Sequence, residues 1–291
     1  MTSEHLIKGY DITIYMDIQD TGKFRTNSKD QFYTSKDVAN TCVQIILEKL
    51  PHLSTYTWVE PSAGSGSFIR ALPPSHKILA MDIEPRCDGI ETRDFLEWKP
   101  TVTDNVVVFG NPPFGKQSSL AKAFIRKSCE FADVIAFILP KSFTKPSMNN
   151  AFDDTFHLVH THETTDNAFE VNGKPYNVPC VFQIWEKRKH KRRKTKDVKS
   201  VGFKYVKPNE PHDFTFRRVG VYAGRCYKED GSPQSHHFLK LDDDVKPHID
   251  TLMTKINKHK FPTNTVGPRS LTKTEINTVL NKIIKALVHK T

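Results

Sequence analysis

The sequence predicts an α/β fold: a mostly parallel sheet with an antiparallel hairpin at one edge, plus a small C-terminal module. Three observations carry this expectation. Short apolar runs alternate with amphipathic stretches from residue 36 to about 139, an order that implies parallel pairing. Two later apolar runs are separated by polar residues, Gly173 and Pro175, which suits a hairpin. After a basic run at 187–196 the texture changes to short, aromatic, turn-rich segments.

The elements follow in chain order. Residues 1–30 read as a polar arm with a short alternating strand at 12–15. An amphipathic helix then runs to Leu50. Its Val38, Ala39, Cys42, Ile45 and Ile46 keep helical spacing, and Pro51 ends it. Residues 57–59 form a strand entering Glu60. Gly64 and Gly66 mark a turn, and a helix runs from Ser67 to about Ala71. Strands are expected at 77–81, ending on Asp82, at 106–109 and at 134–139, with a helix at 121–131 between the last two. The late pair lies at 157–160 and 181–185. Residues 201–241 look β-rich and 242–291 helical, with Ile276, Val279, Leu280, Ile283, Ile284 and Leu287 on one face. The domains expected are an arm (1–30), a main domain (31–187), a basic linker (188–200) and a C-terminal module (201–291).

Composition narrows the class. The 291-residue chain is 37% hydrophobic, and no apolar run reaches the roughly 18 residues of a membrane span. The start, Met1-Thr2-Ser3-Glu4-His5, lacks the layout of a signal peptide. Five scattered cysteines form no CxxC pair, which argues against structural zinc and a disulfide framework. A soluble protein of a reducing compartment, cytoplasm or nucleus or nucleoid, with no metal and no membrane partner, is expected. The formal net charge is +10, and eight basic residues between 187 and 196, with no acid among them, supply most of it. Such a run suits a solvated linker or localisation tag. Its position beside a candidate base pocket favours a phosphate-contacting surface with Lys187, Arg188, Lys191, Arg192 and Arg193.

The chemistry begins at Asn111-Pro112-Pro113-Phe114. It follows the apolar run 106–109 and Gly110, at the carboxyl end of a strand, where open α/β sheets bind ligands. Two prolines make the turn rigid. An amide oxygen, a proline carbonyl and a ring held there suit the exocyclic amine of a planar base. A second turn, Glu60-Pro61-Ser62-Ala63-Gly64-Ser65-Gly66, joins a strand to a helix. It has neither the third glycine of a dinucleotide fingerprint nor the Gly-Lys-Ser/Thr of a phosphate loop. Its leading Glu60 would repel a pyrophosphate and pair with a cationic, amino-acid-like ligand. Asp82 suits ribose hydroxyls or a helix cap. Asp94-Phe95 suits an adenine, or is an ordinary surface acid and core ring. Tyr33 and Thr34 at the start of a helix suit a ligand carboxylate, or Thr34 and Ser35 simply cap the helix. In the C-terminal module Arg217, Arg218 and Arg225 suit phosphates, or ornament a plain hairpin. His236 and His237 have no further ligands nearby for a metal.

The order of Phe32-Tyr33-Thr34, the acid-led glycine turn, Asp82, Asp94-Phe95 and Asn111-Pro112-Pro113-Phe114 resembles that of amino-directed nucleic-acid methyltransferases. The likeness covers residues from about 30 to 187 and is nearest to the adenine-N6 DNA enzymes with a C-terminal recognition region. It implies a Rossmann-like methyltransferase fold, S-adenosyl-L-methionine as cofactor and a flipped target base. The cofactor residues it implies are Tyr33, Thr34, Glu60, Pro61, Ser62, Ala63, Gly64, Gly66, Asp82, Ile83, Asp94 and Phe95. Catalysis falls to Asn111 to Phe114. The activity implied is methyl transfer to adenine N6 in nucleic acid, DNA before RNA. An RNA adenine or guanine-N2 enzyme, and a non-catalytic nucleic-acid binder of the same fold, are the alternatives. Phe114 stands where many DNA enzymes carry tyrosine.

Overall fold

The computed structural model describes residues 32–171, 173–193, 197–265 and 268–288. The arm expected at 1–30, with its strand, lies outside them, as do Lys194 and Lys196 of the basic run. Two compact units emerge. Of the described residues, the first contains those up to Phe143 and Met148–Arg192; the second contains Thr144–Ser147 and those from Arg193 on. Residues 188–192, expected as linker, therefore belong to the first unit.

The first unit begins with β1 (Tyr33–Thr34) and α1 (Lys36–Lys49). Ser35 caps α1, its hydroxyl accepting the Val38 N–H, and Val38, Ala39, Cys42, Val43 and Ile46 form the buried face. Then come β2 (Thr57–Glu60), α2 (Ser67–Ala71), β3 (Lys77–Asp82), β4 (Glu91–Thr92) and β5 (Val106–Gly110). They are followed by α3 (Ser119–Cys129), β6 (Val134–Pro140), β7 (Phe156–Glu163), β8 (Phe169–Val171), β9 (Lys174–Tyr176) and β10 (Cys180–Lys187).

Seven strands form one sheet in the order β4-β3-β2-β5-β6-β10-β7. Strands β2 to β6 pair in parallel, and β10 runs antiparallel to both β6 and β7. The two late strands do pair antiparallel, with β10 slipped inside the edge and β7 outermost. This is the strand order of the Rossmann-like methyltransferase fold. Every residue of β5 and β6 is buried, as expected for central strands covered on both faces. Trp58 of β2 and Phe68 of α2 meet Phe109 of β5 edge to face, with centroids 5.0 and 5.8 Å away. That packing seats the glycine turn beside the end of β5. A second, three-stranded sheet, β1-β8-β9, holds Tyr33 opposite Glu170 and Thr34 opposite Phe169.

The second unit is an antiparallel sheet with two helices. Strands β11 (Phe203–Val206), β12 (Phe214–Arg217), β13 (Cys226–Tyr227) and β14 (His236–Leu241) take the order β11-β14-β12-β13. Helices α4 (Ile249–Lys258) and α5 (Lys273–Val288) share a core with the sheet, built on Phe203, Phe214, Phe216, Leu239, Leu252, Ile276, Leu280 and Ile284. Thr272 and Glu275 form a capping box on α5: the Thr272 N–H donates to Glu275 Oε2, and the Glu275 N–H to Thr272 Oγ1. The buried Lys145 completes this corner, its ammonium donating to the Ser270 carbonyl at 2.7 Å and meeting Glu275 at 3.2 Å.

Candidate active site

The sheet order reverses at β2, whose neighbours are β3 and β5. Ligands of open α/β sheets bind outside the carboxyl ends of the strands at such a point. Glu60 ends β2 and Gly110 ends β5, so the two turns singled out in the sequence leave the sheet side by side. Ser62 Oγ donates to the Asn111 carbonyl at 3.0 Å and ties one turn to the other. Within the glycine turn, the Ala63 N–H donates to the Met81 carbonyl at 3.0 Å, and the Gly66 N–H to that of Ala63 at 2.7 Å. Gly64 has φ +50°, and the Tyr33 ring lies 3.2 Å from where a Cβ would stand, so this position needs glycine. Asp82 braces the turn: one carboxylate oxygen accepts the Gly64 N–H, the other the Glu84 N–H, both at 2.8 Å.

Asn111 is aimed by its amide nitrogen. Nδ2 donates to the Phe32 carbonyl at 3.0 Å, which leaves Oδ1 as the free acceptor. Oδ1 is buried with no partner among the described residues, and so is Glu60 Oε2. A buried polar atom left unpaired costs about 1–3 kcal/mol, so each such atom calls for an explanation. Gly110, with φ +125°, keeps Glu60 in place: a Cβ there would lie 3.3 Å from Glu60 Cγ. Burial, and after it the Asp82 charge, holds the Glu60 carboxyl well above the usual carboxylate range, with Arg70 and the Ile69 N–H opposing more weakly.

Both orphaned atoms belong to residues lining one cavity of about 380 Å³, within the roughly 300–1,000 Å³ range of small-molecule sites. Asn111, Pro112, Pro113 and Phe114 line it, together with Tyr33, Thr34, Glu60, Ser62, Ala63, Gly64, Asp82 and Ile83. The Ile83 side chain is 72% exposed, an apolar surface offered to whatever enters. Phe114 is largely buried and lies 6.4 Å from Phe32, which stacks on Tyr176 at 5.4 Å.

Four expected cofactor residues are not in the lining. Phe95 is 1% exposed and packs into a core of Trp98, Phe124 and Phe131, so its ring has no free face for an adenine. Asp94 is exposed and its Oδ1 accepts the Leu96 N–H in a tight turn. Pro61 and Gly66 are buried and shape the turn from behind. The lining adds Phe32, Ser65, Ser67, Phe68 and Glu84. Ser65 and Ser67 were legible as members of the glycine turn. Phe32 stands in the motif that leads α1, but the use of its main-chain carbonyl to hold Asn111 leaves no mark on residue type.

Among the basic residues, Lys187, Arg188, Lys191 and Arg193 are exposed. Arg192 departs from the expected phosphate-contacting role. It donates to the carbonyls of Asn149, Phe152 and Phe156, and its guanidinium lies 5.7 Å over the Trp185 ring. It fastens the chain to its own unit. In the second unit Arg217 donates to the Val219 carbonyl, Arg218 to that of Gln234, and Arg225 is exposed. Among the described residues no helix is long and apolar enough to cross a membrane, and no cluster of three or more His, Cys, Asp or Glu is placed to hold a metal.

No protein-family model and no curated protein matches the sequence. Solved structures similar to it include a candidate RNA methyltransferase of Pyrococcus horikoshii, at 17% identity and TM-score 0.45 over 54% of this chain and 87% of that one. A candidate class I S-adenosylmethionine-dependent methyltransferase of Listeria monocytogenes matches at 13% identity and TM-score 0.42, over 58% of this chain and 65% of that one. Magnesium protoporphyrin IX methyltransferase of Synechocystis, solved with bound SAM, matches at 10% and 0.39, over 52% and 79%. Likeness at this level carries no chemistry over; the chemistry has to be drawn from the chain's own residues.

Proposed function

We propose that the chain is an S-adenosyl-L-methionine-dependent methyltransferase that acts on the exocyclic N6 amine of adenine in nucleic acid. The observation that carries this is the orphaned, buried Asn111 Oδ1, an acceptor on a residue that lines the cavity beside a rigid double-proline turn. The donor set fits the cofactor. Glu60 offers a carboxylate with one oxygen unspent to a cationic amino-acid group. Asp82, oriented by two backbone amides, keeps lone pairs for ribose hydroxyls. Ile83 offers an apolar surface to the adenine. Bound there, S-adenosyl-L-methionine supplies a methyl group activated by a positively charged sulfur.

The protein's part is to make a poor nucleophile available. The lone pair of an exocyclic amine is delocalised into the ring. Asn111 Oδ1 and the Pro112 carbonyl, accepting the two amine hydrogens, favour a pyramidal nitrogen with its lone pair turned outward. The prolines hold both acceptors without reorganisation, and Phe114 bounds the space in which the base lies. Neither acceptor removes a proton before transfer; the extra proton leaves afterwards from a cationic nitrogen.

The test is incubation with tritiated cofactor and matched DNA and RNA pools, followed by nucleoside identification. N6-methyladenine in either polymer supports the reading and assigns the polymer. N2-methylguanine supports the RNA alternative, and no labelled nucleoside refutes both. Asp82→Ala is expected to raise the cofactor dissociation constant by about 10–100-fold, the net worth of one bond to a charged acceptor at roughly 1.5–3 kcal/mol. Calorimetric titration checks this, and an unchanged constant removes Asp82 from the site.

A further inference from the structure

The loop that joins β12 to β13 in the second unit is fixed by backbone hydrogen bonds at several points. The Arg217 N–H donates to the Arg225 carbonyl and the Gly224 N–H to that of Arg217, both at 2.8 Å. The Gly220 N–H donates to the Arg269 carbonyl at 2.8 Å, and the Leu271 N–H to that of Arg218 at 2.9 Å. Gly220 and Gly224 sit at φ +101° and +99°, backbone that only glycine adopts freely. At the apex, Val221 is 85% exposed, the most exposed large hydrophobic side chain among the described residues, and Tyr222 is 56% exposed. The Arg217 guanidinium lies 5.6 Å from the Tyr222 ring centroid and covers one face.

The two segments that form this apex carry positive charge only. No acidic residue occurs in 214–228 or in 259–273, the two segments that the loop's hydrogen bonds bring together. Arg217, Arg218 and Arg269 take carbonyl partners, and no carboxylate among the described residues pairs with them or with Arg225. Glu275, beside this corner, is engaged by Lys145 and by the Thr272 cap, and the acids that follow β14 stand at the opposite end of the sheet. Arg217 pairs with His236, whereas Asp242 to Asp244 follow the other end of β14, beyond Leu241.

We propose that this loop is a binding surface for an unpaired stretch of nucleic acid, an inference that rests on the activity proposed above. Tyr222 stacks its open face on an unstacked base, while Arg218 and Arg225 meet the flanking phosphates. A ring already backed by a fixed guanidinium stacks with little loss of freedom, and stacking on an exposed aromatic requires a base whose face is free. Arginines without carboxylate partners suit phosphate oxygens. An acidic polypeptide answers the arginines but leaves the ring unused.

Fluorescence anisotropy with the full chain tests this, using a labelled single-stranded oligonucleotide, as DNA and as RNA, and the corresponding duplex. The chain is expected to prefer the single strand. Tyr222→Ala is expected to weaken that binding about 10-fold, and Tyr222→Phe to retain it. Arg225→Gln is expected to reduce the salt slope by about 0.7, one phosphate contact on a single strand. Cofactor affinity, measured by calorimetry, stays unchanged in all three variants. Single-strand binding by Tyr222→Ala equal to wild type overturns the role of the loop, as does displacement by polyglutamate with the potency of an oligonucleotide. If Tyr222→Ala is indifferent while the wild type methylates nucleic acid, the loop's role alone falls. If the wild type binds cofactor but no nucleic acid, the substrate class falls with it.

Discussion

Asn111→Ala is expected to lower the rate of methyl transfer by about 10²–10³-fold while the cofactor dissociation constant stays within a few-fold of wild type. The magnitude is that of one preorganised polar partner removed from a reacting centre, about 3–4 kcal/mol. The split between rate and affinity follows from geometry. Oδ1 is unspent in the free protein, so its bond forms with the amine and contributes little to holding the cofactor. Alanine also removes the Nδ2 donor from the Phe32 carbonyl, at a cost of about 1 kcal/mol in stability. Single-turnover measurement with tritiated cofactor, beside a calorimetric titration, separates the two effects. Transfer at a near wild-type rate would show that Oδ1 has no part in the reaction.

Glu60→Gln is expected to weaken cofactor binding by about 10–100-fold and to abolish its pH dependence. An ionised Glu60 attracts a cationic ligand, yet in the free protein burial favours the protonated form. Binding below the Glu60 titration therefore releases a proton. The dissociation constant falls as pH rises through that titration and levels off above it. Calorimetry in buffers of differing ionisation enthalpy counts the proton. Stability moves the opposite way. The folded carboxyl titrates above its unfolded value of about 4.3. Its contribution is therefore fully present below that value and is lost as pH rises through the folded titration. Glutamine stays neutral throughout, so the ligand-free variant is expected to melt higher than wild type at neutral pH. A lower melting temperature together with unchanged cofactor affinity would remove Glu60 from its assigned role.

How much of this was readable beforehand depends on what each element is made of. Strands β2, β3, β5 and β6 carry apolar runs closed by an acid, a glycine or a proline, and such runs declare themselves. Strands β1, β4, β8 and β9 are only two or three residues long; partners elsewhere in the chain make them strands, not their own pattern. The cavity was legible because Asn111, Glu60 and Asp82 act through side chains at strand ends. Phe95 misled because an aromatic after an acid reads alike whether it faces a ligand or packs on Phe124. Arg192 misled for a related reason: within a run of positive charges, sequence does not show which guanidinium turns back onto Trp185 and the neighbouring carbonyls.

Thr144–Ser147 belongs to the second unit although the chain on both sides of it belongs to the first. The polypeptide passes between the units at three places, after Phe143, after Ser147 and after Arg192. A gene exchange with one crossover between codons 192 and 193 would bring in a new C-terminal unit while the old tetrapeptide stayed behind. The Lys145 ammonium would then lose Ser270 and Glu275 and be stranded in a foreign setting. A lineage built this way exchanges its C-terminal unit cleanly only when Thr144–Ser147 changes with it, which takes two further crossovers.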